Sequence, residues 1–280
     1  LKITSRRDSF FVSICINHRH GGNICSYSFI SQADRKSEMK NIRYFMAWLV
    51  LLALSPSIFA SQNTRAPNTD IPPSAELTYT VKAEYNGLSL GGNSFIQWKA
   101  DKQKYSLQNE ARISLFGKIL DADSNGRITA EGLVPEKYVE KRLRKEQTTT
   151  LFNYTDHTVT FRENRKASLR EITQDRASIV WQLAFIASAD PERLVPGSTL
   201  TLQVAGRSKI EPWTFHVVNT GDISTPMGKT KAIQFSRNGK KGQKMNVWLA
   251  PDHNWYPVQI LFDEPGGLQL LQTIKKITPL

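Results

Sequence analysis

A strict alternation of apolar and polar side chains runs through residues 76–85 (ELTYTVKAEY). The apolar residues take every second position: Leu77, Tyr79, Val81, Ala83 and Tyr85. Successive side chains of a β-strand point to opposite faces of a sheet, so this two-residue period predicts a strand with one buried and one solvated face. One-sided burial is typical of antiparallel sheets. The most regular part of the chain is therefore restricted to an antiparallel β-fold.

The same period returns along most of the chain. It is seen in residues 105–115, 200–204, 213–217, 233–235 and 245–249. Glycine-containing turn signals separate these segments, and they include Asn86-Gly87, Gly91-Gly92, Asn125-Gly126, Asn238-Gly239 and Pro265-Gly266-Gly267. Together they predict about twelve short strands at hairpin spacing. Because open sheet edges invite aggregation, we expect a mainly β fold, a strongly curved antiparallel meander of half-barrel or barrel-like form.

One segment, residues 175–188, lacks the alternation and predicts a single helix. Ile179, Leu183 and Ile186 fall on one helical face. Asp175 can cap the start of the helix, and Asp190 with the following proline marks its end. A single apolar helix among strands is expected to plug one end or one face of the sheet. Since both runs of strands share this helix, residues 75–280 are predicted to form one domain.

Residues 39–60 (MKNIRYFMAWLVLLALSPSIFA) follow the order of a secretory signal: basic residues, an apolar run, then a small residue. A membrane-spanning helix needs about 20 apolar residues, roughly twice the length of this run, so cleavage near Ala60 is favoured over a retained anchor. The prediction is a periplasmic protein without a stable membrane anchor after cleavage. Residues 61–74 then form a polar, proline-bearing linker. Residues 1–38 are interpreted as a non-native upstream extension, or as a disordered tail.

The positions of the cysteines and the net charge exclude some classes of function. The two cysteines, Cys15 and Cys25, precede residue 39, so the chain after Ala60 has no disulfide, thiol nucleophile or thiolate metal site. That part carries 29 Lys and Arg against 22 Asp and Glu. In an exported protein, this moderate positive charge predicts anionic envelope components as neighbours rather than nucleic acid.

The sequence predicts no catalytic residues, no cofactor and no metal site. His157, His216 and His253 lie far apart in the chain, and no nucleophile-elbow, zinc-protease or phosphate-loop motif is present. A hydrolase built from dispersed carboxylates remains a less favoured alternative, because such pairs meet in space rather than in sequence.

A calcium-binding loop is imitated by residues 121–128 (DADSNGRI). The closing glutamate of such a loop would be needed at position 132, which is Gly132. The flanking residues also alternate as strands do. A hairpin turn or bulge at Asn125-Gly126 is therefore the preferred interpretation.

Aromatic residues on strands that are apolar on both faces predict a binding interior. Trp248 lies between Val247 and Leu249, and similar two-sided segments surround Phe95 and Phe262. A sheet of this kind either carries the helix on its second face or lines a cavity suited to a lipid-like ligand. With Trp181 of the helix, these three aromatics are the candidate binding residues.

Basic residues predict a second kind of contact. Residues 237–244 (RNGKKGQK) form a predicted hairpin tip in which Lys240 and Lys241 are candidates for binding an anionic envelope component. Solvation and protection of a strand edge explain the same lysines without any partner. A further basic run, residues 141–145, is predicted to alternate in part with Val139 and Leu143.

Three stretches give the chain a family likeness: residues 126–142 (GRITAEGLVPEKYVEKR), 175–183 (DRASIVWQL) and 248–260 (WLAPDHNWYPVQI). In these the chain resembles the bacterial family called domain of unknown function 3108, over about residues 75–277. The resemblance implies an exported cell-envelope protein with a strongly curved antiparallel sheet. It implies no activity and no site residues.

The expected function is that of a non-enzymatic binding or envelope-assembly protein whose curved sheet holds an apolar or lipid-like ligand. The alternative is a structural or interaction module with a packed core that acts through its basic rim. What decides between them is whether the interior behind the helix is hollow or filled.

Overall fold

The computed structural model describes residues 71–169, 171–264 and 266–280, together with 5–6 and 9–10. The predicted signal segment, residues 39–60, and most of the linker 61–74 lie outside the described residues. Two units divide the chain, Leu1–Thr64 and Arg65–Leu280. In the first, strand β1 (Ser5–Arg6) pairs antiparallel with β2 (Ser9–Phe10).

The described residues of the second unit form one 15-stranded sheet and one α-helix, α1 (Ser178–Ala189). Before the helix come β3 (Ala75–Tyr85), β4 (Leu88–Ala100), β5 (Lys104–Ile113), β6 (Gly117–Thr129), β7 (Gly132–Arg142), β8 (Thr148–Asn153), β9 (Thr158–Thr160), β10 (Lys166–Ser168) and β11 (Thr173–Gln174). After it come β12 (Thr199–Ala205), β13 (Ile210–Thr225), β14 (Gly228–Asn238), β15 (Lys244–Leu249), β16 (Pro257–Glu264) and β17 (Leu268–Pro279).

The strand order is that of two meanders joined at the first and last strands of the unit. It reads β10-β9-β8-β7-β6-β5-β4-β3-β17-β16-β15-β14-β13-β12-β11. Every neighbouring pair is antiparallel except β11 with β12. The sheet does not close into a barrel, since β10 and β11 remain its edges. Its strong curvature brings edge strand β11 back to β7, where the Gln174 side chain donates a hydrogen bond to the Leu133 carbonyl (2.7 Å). The predicted mainly β, half-barrel-like fold is confirmed, with more strands than the sequence predicted.

Burial in β3 follows the alternation predicted for it. Leu77 and Tyr79 are fully buried, whereas the intervening Thr78 and Thr80 are half-buried. The same face stays inward as far as Ala83. A buried inner face and a solvated outer face therefore set the register of the sheet, since a slip by one residue would turn the apolar set outward.

Helix α1 begins at Ser178, three residues after the predicted start. The carboxylate of Asp175 accepts hydrogen bonds from the backbone N–H groups of Ala177 and Ser178, both at 2.8 Å, and so caps the helix as predicted. Residues on every side of the helix are buried. A helix that is apolar all round belongs in an interior, and here it occupies the inner face of the curved sheet.

Two of the predicted glycine turns are part of strands. Gly91 and Gly92 lie within β4, where a side chain at Gly92 would place its Cβ 2.1 Å from the Arg112 carbonyl oxygen. Gly92 therefore allows close backbone approach, and the pair does not form a turn. Asn125-Gly126 forms the bulge that was one of its two predicted roles, a register shift in the pairing of β6 with β7.

Within the described part of the chain, no helix combines the length and the apolar character needed to cross a bilayer.

Candidate functional site

The inner face of the sheet carries two separate clusters of buried apolar residues. The larger cluster surrounds α1. The smaller one consists of Val81, Ala83 and Ile113, with partly buried Leu90, Ile119 and Leu270 packed against it. Both clusters share strand β3, whose first half faces the helix and whose second half does not. The core is therefore interrupted along the strands.

A cavity of about 540 Å³ occupies the space beside the smaller cluster. Its wall comes from β3 to β7 on one side and from β16 and β17 on the other, with Ala177 at the start of the helix. The apolar part of the wall includes Leu90, Ile113, Ile119, Leu120, Phe262 and Leu270. The interior is thus packed around the helix and hollow beyond it.

The mouth of the cavity lies at the tips of adjacent hairpins. Tyr85 and Leu88 flank the β3–β4 turn, and Phe116 lies in the β5–β6 turn. These three side chains line the cavity and are also exposed, at 51%, 55% and 46%. An apolar path therefore leads from solvent into the cavity.

Apart from the exposed Arg144 and Lys145, the charged side chains of this wall lie at one place. Glu140 on β7 lines the cavity, and its side chain is only 1% exposed. Its Oε1 lies 2.8 Å from Nε of Arg142 and 3.7 Å from Nη1 of Arg207, and its Oε2 lies 3.6 Å from Nε of Arg176. One buried carboxylate is therefore surrounded by three guanidinium groups, named here the arginine cluster (Arg142, Arg176, Arg207).

The Tyr138 hydroxyl completes the surroundings of this carboxylate. It donates a hydrogen bond to Oε2 of Glu140 at 2.7 Å. Burial, followed by the nearby Glu140 charge, raises the pKa of Tyr138 well above its usual value. The phenol therefore stays protonated and remains a donor.

Arg176 has unused hydrogen-bonding capacity. Its Nε lies 3.6 Å from Glu140 and its Nη2 lies 3.7 Å from its second carboxylate neighbour, Glu264, and both distances are longer than a hydrogen bond. The Arg176 side chain is 19% exposed. Burial, followed by the charge of Arg142, lowers the pKa of Arg176. A guanidinium remains charged under such conditions because its reference pKa exceeds 12. The cavity wall thus presents cationic N–H groups without close partners.

A buried aspartate near the cavity has a structural role. Asp175 accepts a hydrogen bond from the Ser124 hydroxyl at 2.5 Å, in addition to the two backbone N–H groups at the helix start. Burial raises its pKa above the usual range. The Ser124 hydroxyl therefore ties the capping carboxylate, and with it the start of helix α1, to strand β6.

Phe262 is the one predicted binding residue that lines the cavity. Trp181 stacks on Trp98 in the packed core with ring centroids 4.1 Å apart, and Trp248 packs against the same core from a half-buried position. Phe95 is 38% exposed and has the opposite parity to buried Ile96. Trp181, Trp248 and Phe262 thus belong to or pack against the same core around α1, whereas Phe95 lies apart from them on the outer face.

The predicted basic tip is also separate from the cavity. The Lys240 side chain is 84% exposed and lies 3.2 Å from the Glu211 carboxylate. The side chain of Lys241 lies outside the described residues. Lys240 is not part of the cavity wall, and the proposed contact of the two lysines with an anionic component stays a prediction.

The cavity residues that sequence reasoning missed are Tyr138, Glu140, Arg142 and Arg176. The parity predicted for β7 was wrong, because Tyr138 and Glu140 point inward while Val139 is only half-buried. The available signal was Tyr138, whose parity with Glu140 and Arg142 places a charged pair on the aromatic side of the strand. A charged residue is interpreted as a surface residue when its partner is distant in sequence, and Arg176 is distant from Glu140 in this way.

The described residues contain no cluster of three or more His, Cys, Asp or Glu side chains that could hold a metal ion. Residues 121–128, the imitation of a calcium loop, lie within strand β6. The site is therefore defined by its apolar wall and its arginine cluster.

Comparison with solved structures shows relatives of the fold. A crystal structure of a beta-barrel-like protein of domain of unknown function DUF1849 from Brucella abortus has a TM-score of 0.50 and 11% sequence identity, and covers 75% of this chain and 98% of that chain. A crystal structure of a DUF1329 family protein from Desulfovibrio piger has a TM-score of 0.25 and 8% sequence identity, and covers 75% of this chain and 87% of that chain. At such identities, only the first likeness bears on the fold, and neither bears on function.

Comparison with curated proteins gave no match. The family model described as "Protein of unknown function (DUF3108)" matches residues 78–273, as the three resembling stretches predicted. That match spans most of the sheet and all of helix α1. The chain therefore belongs to the DUF3108 family.

Proposed function

We propose that the protein is a non-enzymatic, exported binding protein of the bacterial cell envelope that holds a lipid-like molecule in the cavity beside α1. The observation that carries this proposal is the apolar cavity of about 540 Å³. Ligand sites in proteins span about 300–1,000 Å³ and are mostly apolar with a few polar groups. The export part of the proposal rests on the signal-like residues 39–60.

Burial of apolar surface supplies the driving force for binding. Each Å² of apolar surface removed from water contributes about 25 cal/mol, so every part of an alkyl chain that contacts the wall adds to the binding free energy. The surrounding sheet is already ordered, with both inner clusters in place. A preformed site loses little conformational entropy on binding.

The two alternatives fit the cavity less well. A packed-core module has no use for an opening lined by exposed Tyr85, Leu88 and Phe116. A hydrolase needs two carboxylates that converge on substrate, and the cavity does contain Glu140 and Glu264. Arg176 lies between them, however, at 3.6 and 3.7 Å. Its guanidinium occupies the space that a scissile bond would need.

The test is a titration of the full chain with the apolar fluorophore N-phenyl-1-naphthylamine. We expect saturable binding of one molecule. Replacement of Ala83, a buried wall residue, by Phe should fill the cavity and weaken binding by at least about tenfold. Lys82→Phe is the matched control, because Lys82 lies on the outer face of the same strand. Absence of saturable binding, or equal binding by both variants and the wild type, would overturn the proposal.

A further inference from the structure

We infer that the cavity selects amphiphiles with one acidic head group, a carboxylate or a phosphate, and that Arg176 and Arg142 bind this group. The inference rests on the proposed function and adds the chemical class of the ligand. Its basis is the charge balance and the hydrogen bonding of the wall.

The charge of the wall is positive. Its charged members are four cations (Arg142, Arg144, Lys145 and Arg176), of which Arg144 and Lys145 are exposed to solvent, and two carboxylates (Glu140 and Glu264). Arg207 adds a further positive charge 3.7 Å from Glu140. Uncompensated charge next to an apolar enclosure is costly. Without the two exposed cations, three guanidinium groups face two carboxylates, so a ligand that brings one negative charge would balance the site.

Hydrogen bonding leads to the same conclusion. Nε of Arg142 is buried without a hydrogen-bond partner, although it lies only 2.8 Å from Glu140, because the angles are unsuitable. Arg176 is 3.6 Å or more from both of its carboxylate neighbours. A buried donor without an acceptor, as Nε of Arg142 is, destabilises a site. An oxyanion inside the cavity could accept from both guanidinium groups in the bidentate geometry that they favour.

A cationic or neutral head group would use these donors less well. Oε1 of Glu140 is itself buried without a hydrogen-bond partner. Three guanidinium groups lie within 3.7 Å of this carboxylate, however, and their charges repel a ligand cation from it. An alcohol offers one weakly accepting oxygen to several charged donors. The acidic head group is therefore the chemistry that the wall fits best.

The test compares three amphiphiles of equal chain length, dodecanoate, dodecyl phosphate and dodecanol, by displacement of bound N-phenyl-1-naphthylamine from the full chain. Charge-assisted hydrogen bonds should make at least one anion bind about 10-fold or more tightly than the alcohol. Arg176→Gln should reduce anion affinity by a similar factor and leave alcohol affinity within about twofold. Arg176→Lys should restore part of the anion preference, because it keeps the charge.

Lys240→Gln is the matched control, since Lys240 is exposed and lies outside the cavity wall. If Arg176→Gln does not fold, Arg142→Gln replaces it. Inorganic phosphate serves as a further competitor: displacement by phosphate alone, without displacement by the amphiphiles, overturns the inference. Equal binding of all three amphiphiles to the wild type overturns it too but leaves the proposed function intact. Failure of the fluorophore itself to bind overturns both.

A different observation carries a second proposal about the outside of the mouth. Hairpin tips β3–β4, β5–β6 and β7–β8 lie at the same end of the sheet, because their strands pair in consecutive antiparallel register. These tips expose five large apolar side chains: Tyr85, Leu88, Leu115, Phe116 and Leu143. Leu115 is the most exposed of them, at 89%. We call this set the apolar rim.

We propose that the apolar rim docks on the surface of an anionic lipid bilayer. Arg144 and Lys145 stand exposed beside the rim, in the β7–β8 turn. Apolar side chains that enter the interface, together with flanking cations that attract acidic lipid, are the combination that holds proteins at membranes. Docking in this orientation would bring the mouth of the cavity to the lipid.

The test is co-sedimentation of the full chain with vesicles of phosphatidylcholine alone or mixed with phosphatidylglycerol. We expect stronger binding to the mixed vesicles, weakened by salt, and a loss of about tenfold or more in Leu115→Asp. Leu151→Asp is the control, because Leu151 is 47% exposed on β8 and does not line the cavity. Absence of vesicle binding, or equal losses in the two variants, would overturn the proposal.

Discussion

The indole rings of Trp98 and Trp181 stack with their centroids 4.1 Å apart and their planes 11° apart. Trp98 belongs to β4 and Trp181 to α1, and the Trp98 Nε1–H group donates to the Pro72 carbonyl at 2.8 Å. The stack fixes the helix against one half of the strands. The other half, from Val81 onward in β3, faces the cavity.

Removal of this stack should destabilise the fold. In Trp181→Ala, loss of a fully buried aromatic ring should lower the free energy of unfolding by about 3–5 kcal/mol. Phe95→Ala is the control, because Phe95 is partly exposed on the outer face, and it should cost far less. Urea unfolding followed by circular dichroism measures both. Equal losses in the two variants would contradict the placement of the helix.

Two adjacent glycines should respond differently to the same change. A Cβ at Gly92 would lie 2.1 Å from the backbone oxygen of Arg112, whereas nothing lies within 4 Å of a Cβ at Gly91. Gly92→Ala should therefore cost about 1–3 kcal/mol. Gly91→Ala should be neutral or stabilising by up to about 1 kcal/mol. Thermal unfolding of both variants checks the pair, and the reverse order would show that the β4–β5 register is wrong.

The pKa of Asp175, raised by burial, predicts a pH dependence of stability. The folded chain binds the proton more tightly than the unfolded chain, whose aspartate has a pKa of about 3.9. Stability should therefore fall as the pH rises from about 4 through the raised pKa of the folded state. Asp175→Asn removes this titration, and its amide oxygen can still accept from the helix N–H groups.

The stability of Asp175→Asn relative to the wild type should thus increase with pH over that window. Urea unfolding at a series of pH values measures the difference. A constant difference, or one that decreases as the pH rises, would mean that burial does not raise the pKa of Asp175.

Alternation predicted most of the fold but could not reveal the cavity. Val81 and Ala83 have the same parity as Leu77 and Tyr79, because all four point to the inner face. Parity shows which face is inward, and only the position of helix α1 decides which part of that face is covered. For the same reason, Trp181 was grouped with binding residues although the helix places it in the packed core.

Bulges and short strands limited the prediction further. Strand β13 changes register between Val217 and Asn219, so one 16-residue strand reads as two shorter patterns. Strands β9, β10 and β11 have three residues or fewer, too few to establish a period. The arginine cluster was hidden because its members come from three separate segments of the chain. Pairing across such distances leaves no local pattern in the sequence.

Native mass spectrometry of the protein purified gently from its own cells tests the central claim most directly. We predict a mass increase that corresponds to one bound amphiphile, released when the protein is denatured and absent from Ala83→Phe. A wild-type protein that carries no ligand, and that takes up none when it is offered total lipid from the same cells, would contradict the account.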